Sequence, residues 1–150
     1  MGLDMYLDKR TYVRKWDHID ETKQYNVEVT RGGEPTNIDP KKVKYIIEEA
    51  GYWRKANQIH RWFVENVQEG KDDCGDYYVS RTDMETLLDL CKQVKADHSL
   101  AESLLPSASG FFFGATDYDE WYYEDIKNTI KILESGLEDE QSDYYYSSSW

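Results

Sequence analysis

The stretch VKYIIEEAGYWRKANQIHRWF, residues 43–63, carries two hydrophobic periodicities, and the point where one yields to the other decides how much of the chain is sheet. In its first part Val43, Tyr45 and Ile47 would line one face of a strand. Val43, Ile46, Ile47 and Ala50 equally fit a helix entered through Asp39-Pro40, with proline at a first helical position. Both readings stand for residues 41–50. Further on, the spacing predicts a helix over residues 53–69 that stops at Gly70, a natural C-terminal cap. On a wheel of about 100° per residue, Trp53, Ala56, Ile59, Phe63, Val64 and Val67 share one side, as a core stripe should. His60 falls in the middle of that stripe and Asn57 at its border. Arg54, Arg61 and Glu65 share the opposite face, while Trp62 sits with Lys55 and Asn66 on a polar flank.

Two residues are out of place on this wheel, a histidine facing inward and a tryptophan facing outward. His60 is either a core histidine bonded to a carbonyl or a side chain, or the wall of a pocket in which it and Asn57 offer hydrogen bonds. Trp62 either packs on another element or forms an exposed stacking surface beside the Lys55 charge.

Outward from this helix, LDMYLDK (residues 3–9) alternates Leu3, Met5 and Leu7 against Asp4, Tyr6 and Asp8, the period of a half-buried strand. KQYNVEVT (residues 23–30) repeats the pattern with Tyr25, Val27 and Val29 until RGGEP breaks it. A second helix is expected from SRTDMETLLDLCKQV, with Thr82 and Glu85 at capping-box spacing and Met84, Leu87, Leu88, Cys91 and Val94 on one face. A third begins near TDYDEWYYEDIKNTIKIL, with acids in its first turn and Tyr122, Ile126, Ile130, Leu133 and Leu137 in register. Between these two lies SGFFFG (residues 109–114). Its consecutive rings Phe111, Phe112 and Phe113 cannot all point one way, so they read either as a short buried strand or as an aromatic wall. The expected fold is α+β, a single small domain over residues 1–138 in which short N-terminal strands pack on about three helices. After Leu137 the composition turns acidic and poor in aliphatics. Residues 139–150 are therefore expected to be a disordered tail, dispensable for folding.

The chain has 150 residues, about one domain, and its thirteen tyrosines, five tryptophans and four phenylalanines supply much of the surface available for burial. The net charge of -12 is unevenly placed. Residues 1–70 hold twelve basic and twelve acidic side chains, and residues 71–150 hold six basic and eighteen acidic ones. Such an acidic part disfavours non-specific binding to nucleic acid. No apolar run approaches a membrane span, and the start has aspartates where a signal peptide needs apolar residues. Cys74 and Cys91 form no CxxC pair, so a reduced, cytoplasmic protein is expected. Nucleotide-loop, zinc-protease and nucleophile-elbow motifs are missing, and neighbouring carboxylates make Cys74 a poor nucleophile. No cofactor is expected and catalysis is not favoured, although Asp117, Asp119, Glu120, Glu124 and Asp125 can be imagined around a divalent metal.

The segments MGLDMYL, YWRKANQIHRWFVENVQEGKDDCG and LLPSASGFFFGATDYDEWYYEDI together resemble small hypothetical proteins of bacteriophages and prophages. The resemblance covers nearly the whole chain except the tail, and implies a habitat in the infected cell without a mechanism. By analogy with phage accessory proteins, the favoured expectation is non-catalytic binding of a small anionic, ring-containing ligand, a nucleotide-type immune signal that is sequestered. The expected site comprises Trp53, Arg54, Lys55, Asn57, His60, Arg61, Trp62, Phe111, Phe112 and Phe113. These residues lie on different sides of one helix, so either a subset acts or a dimer interface completes the site. The first alternative is an inhibitor of a host protein whose acidic part imitates nucleic acid, and the second is a metal-dependent hydrolase.

Overall fold

A computed structural model describes residues 2–150. The alternation at the start forms strand β1 (Asp4–Tyr12), whose Met5 and Leu7 face inward and are fully buried while Asp4, Tyr6 and Asp8 face outward. A long connection follows, with a 3₁₀ turn at Glu21–Lys23, a two-residue hairpin of β2 (Thr30–Arg31) and β3 (Glu34–Pro35), and a second 3₁₀ turn at Pro40–Lys42. The expected strand over residues 23–30 thus shrinks to its last residue. Two consecutive glycines with positive φ, Gly32 and Gly33, turn the hairpin.

Residues 45–54 are strand, not helix. β4 (Tyr45–Arg54) pairs antiparallel with β1 along its whole length, so Trp53 and Arg54 lie on a strand and the following helix starts only at Asn57. β-Branched and aromatic residues favour this outcome, and β1 supplies the partner that a local helix would lack. One extra residue at Ala50 bulges the strand between the pairs Leu7–Gly51 and Asp8–Glu49. Helix α1 (Asn57–Asn66) then leads through Gly70, whose φ is +81°, to β5 (Tyr77–Val79). Helix α2 (Arg81–Ala96) is capped two residues earlier than its sequence spacing indicates. Ser80 accepts from the Asp83 amide at 3.0 Å and Asp83 accepts from the Ser80 amide at 3.3 Å. The short helix α3 (Ala101–Leu104), the phenylalanine loop and helix α4 (Glu120–Glu138) complete the helical layer, with Asp119 as N-cap of α4.

The expected tail is a strand. β6 (Asp143–Ser149) runs between β1 and β5, giving the order β4-β1-β6-β5 with every pair antiparallel. Tyr144, Tyr146 and Ser148 point inward and are buried, and the Tyr146 ring stacks on Phe63 at 3.9 Å between centroids. Tyrosines here do the work usually given to aliphatics, since each ring buries as much area as a leucine or more. The fold is α+β, one sheet covered on one face by helices. Its core is formed by Leu3, Met5, Leu7, Trp53, Ile59, Phe63, Leu87, Ile126 and Leu133 with the β6 tyrosines. Among the described residues no helix is long and apolar enough to cross a membrane.

Gly51 is where α4 comes down on the sheet. A β-carbon there would stand 2.6 Å from Ile132 Cγ2 and 2.9 Å from its Cδ1. Ile132 is β-branched and stiff on a helix, so it cannot swing aside without moving α4. Gly51→Ala is expected to destabilise the domain by about 1–3 kcal/mol in urea unfolding.

Candidate functional site

His60 is a core residue. Its ring is 1% exposed, with Nδ1 2.7 Å from the Tyr146 hydroxyl and Nε2 3.0 Å from Asp72 Oδ1. A carboxylate only accepts, so Nε2 carries the proton toward Asp72 and Nδ1 accepts from the Tyr146 O–H. Burial holds the Tyr146 hydroxyl well above the usual tyrosine range, which keeps that donor protonated. Both ring nitrogens are spent, and the Phe113 ring closes over the imidazole edge-on at 5.2 Å. The expected pocket wall is therefore a hydrogen-bonded core histidine tying α1 to β6.

Four more expected site residues have their polar groups or rings engaged within the fold. Trp53 is buried and donates its indole N–H to Thr129 Oγ1 at 2.8 Å. Trp62, expected on a polar flank, is 7% exposed and packs edge-on against Phe63. Arg61 pairs with Glu65 at 2.9 Å one turn along the helix and reaches the Ser107 carbonyl. Asn57 uses its whole amide on the adjoining loop, donating to the carbonyls of Phe113 and Ala115 and accepting from the Ala108 amide. The three phenylalanines form no wall. Phe111 is 95% exposed on a turn, Phe112 lies edge-on to it and gives its carbonyl to the Leu3 amide, and Phe113 covers His60.

By holding the loop, Asn57 shapes a cleft of about 320 Å³ at the corner between β4 and α1. Arg54 and Lys55 enter it from the corner, Gly114 and Ala115 from the loop, and Asp117, Trp121, Glu124 and Asp125 from the loop end and the first turns of α4. Among the described residues neither Arg54 nor Lys55 is within ion-pair distance of a carboxylate. Lys55 turns the corner with φ +56°, a left-handed conformation that costs a residue with a β-carbon about 1–2 kcal/mol. Glycine would turn it without that cost, and a lysine kept there puts its charge at the cleft. Trp121, one position into α4, is 70% exposed. It lies outside the Tyr122/Ile126/Ile130 register, so the helix presents its indole to solvent while burying Tyr122, whose hydroxyl donates to the Leu105 carbonyl at 2.6 Å.

The carboxylates differ in state. Asp119 is occupied as the α4 cap, accepting from the Trp121 and Tyr122 amides at 3.1 Å each. Asp125 is half-buried, and desolvation pushes its carboxyl up to about 6 against a lowering contact with the Gln58 amide. Among the described residues no three His, Cys, Asp or Glu side chains converge as metal ligands do. Arg54, Lys55 and Asn57 are the expected residues that the fold brings to this cleft, whereas Trp121 escaped the sequence reading. Its signal was legible as the large ring on the side of the third helix opposite its apolar face.

No protein family, curated protein or solved structure matches this chain.

Proposed function

We propose that the chain is a non-catalytic binding protein for a small nucleotide-type ligand, acting in the cytoplasm of the infected cell. The observation that carries this reading is an exposed indole beside two unpaired cations in one cleft. A base would stack on Trp121 and a phosphate would neutralise Arg54 and Lys55. The carboxylate oxygens of Glu124 and Asp125 offer hydrogen-bond acceptors, which favours a base that presents N–H donors, such as guanine, over one presenting acceptors. The cleft volume lies at the small end of ligand sites, which favours a mononucleotide over a longer oligonucleotide. With the resemblance to phage proteins, such binding would sequester a nucleotide signal of the host.

Calorimetry with a panel of linear and cyclic nucleotides tests this. Trp121→Ala is expected to weaken binding at least tenfold, since loss of one base–aromatic stack costs about 1–3 kcal/mol. Lys55→Gly relieves the left-handed strain, so its stability is expected to stay within about 1 kcal/mol of the parent while affinity falls. Affinity is also expected to fall as the pH drops through about 6, where Asp125 takes a proton and ceases to be a pure acceptor. A panel without any binder, or a Trp121→Ala chain that binds as well as the parent, would refute the proposal.

A further inference from the structure

The sheet has two edges of unequal character. β5, at one edge, is three residues long. β4, at the other, is ten residues long and rich in apolar side chains. At its start it extends past the end of β6, so that Tyr45 and Ile46 pair with Tyr12 and Thr11 of β1 alone. Tyr45, Ile46 and Ile47 are exposed, Ile47 by 57%, and Tyr12 of β1 is exposed beside them. Long, exposed, apolar edges are what folded proteins normally shorten, charge or cover, because their free N–H and C=O groups recruit another strand.

The backbone register shows which groups are free. The Val13 amide donates to the Lys44 carbonyl, so Lys44, Ile46 and Glu48 turn their backbone groups toward β1. Tyr45, Ile47 and Glu49 turn theirs outward. At the far end Asn128 of α4 donates to the Tyr52 carbonyl and occupies that part of the edge, and the Ala50 bulge separates the two halves. The open segment is therefore residues 44–49.

We propose that this segment pairs with a second copy of itself about a two-fold axis at Ile46, joining two four-stranded sheets into one. Antiparallel pairing with Ile46 opposite its own copy sets Tyr45 opposite Ile47, with their outward N–H and C=O groups exchanged. The same register sets Lys44 opposite Glu48 on both sides of the axis. Over residues 44–48 apolar meets apolar and cation meets anion, and opposite charges at facing positions support a strand pair. Centring the axis on Ile47 instead sets Ile46 against Glu48 and Tyr45 against Glu49, so the sequence favours one register. The partner strand ends before the Asn128 cap. An unrelated extended peptide would be under no constraint to match this pattern of lysine, isoleucine and glutamate, whereas a second copy matches it by symmetry.

Sedimentation velocity of the full chain at micromolar concentrations tests the proposal. The parent is expected to be a dimer. Lys44→Glu and Glu48→Lys each set like charges opposite one another and are expected to give monomers of unchanged circular dichroism, while the double exchange restores the dimer. In a Cys74→Ser background, Ile46→Cys is expected to form an intermolecular disulfide under mild oxidation. Facing residues at such a position stand about 4.5 Å apart between α-carbons, within disulfide reach. Ile47→Cys is expected to cross-link far less. A parent chain that stays monomeric, single exchanges that remain dimeric, or a double exchange that fails to restore the dimer would each overturn the proposal. A monomeric parent would leave the edge to a strand of another protein.

Discussion

A chain ending at Glu138 is expected not to fold. Removing residues 139–150 takes away β6, which lies between β1 and β5. β5 then has no neighbour in the sheet, and β1 loses one of its two ladders. The buried rings of Tyr144 and Tyr146 go with it, together with the Tyr146 stack on Phe63 and its contact with His60. Two buried aromatic residues alone account for about 6–10 kcal/mol on the scale of aromatic-to-alanine substitutions, comparable to the 5–15 kcal/mol that holds an ordinary domain together. Differential scanning calorimetry is expected to show no cooperative transition for this chain. A transition within about 5 °C of the parent would mean that β6 contributes little, as its composition alone implies.

Substituting Tyr146 is expected to have the largest effect of any single side-chain change. Tyr146→Ala removes a fully buried ring stacked on Phe63 and in edge contact with Trp53, for about 3–5 kcal/mol. It also leaves His60 Nδ1 without its donor. Tyr146→Phe keeps the ring and removes only the hydroxyl, so it isolates the cost of the unpaired imidazole nitrogen at about 1–3 kcal/mol. Urea denaturation of both chains separates packing from hydrogen bonding. Equal losses would mean that the hydroxyl matters more than the ring, contrary to the geometry.

The same residues explain which parts of the fold were legible in the sequence. β1 announced itself because Leu3, Met5 and Leu7 alternate with charged and polar neighbours, and the last two helices because their aliphatics recur at helical spacing. Residues 45–50 satisfied both periods, and only pairing with β1 decides between them. Trp53 matched the helical stripe of Ile59 and Phe63 by spacing alone, yet it reaches the same core from the end of β4. β6 is hidden in the sequence for a different reason. Its inward face is Tyr144, Tyr146 and Ser148, a clean alternation in residues that do not look like a core, although tyrosine is a good strand former. Composition argued for a tail where periodicity argued for a strand.

The site was legible only in fragments. Arg54 and Lys55, expected on two different sides of a helix, instead stand at the end of β4 and the turn that precedes the helix, where both open onto a cleft. Asn57 reached the same cleft as the residue that holds its loop. His60 drew attention because a histidine on an apolar stripe is unusual, and the explanation lies 86 residues away in Tyr146, a distance that no local pattern spans. The acids near Asp117–Asp125 suit a metal by residue type alone, but among the described residues no three of them converge, and the neighbouring Trp121 is the more informative feature.

The binding proposal is tested most directly by a ¹H–¹⁵N correlation spectrum recorded as guanosine monophosphate is added to the parent chain. The Trp121 indole N–H signal, assigned through Trp121→Ala, is expected to move together with the amides of Lys55, Gly114 and Ala115, while those of the buried Trp53 and Trp62 indoles stay in place. A spectrum unchanged at millimolar nucleotide, or changes confined to residues outside this cleft, would contradict it.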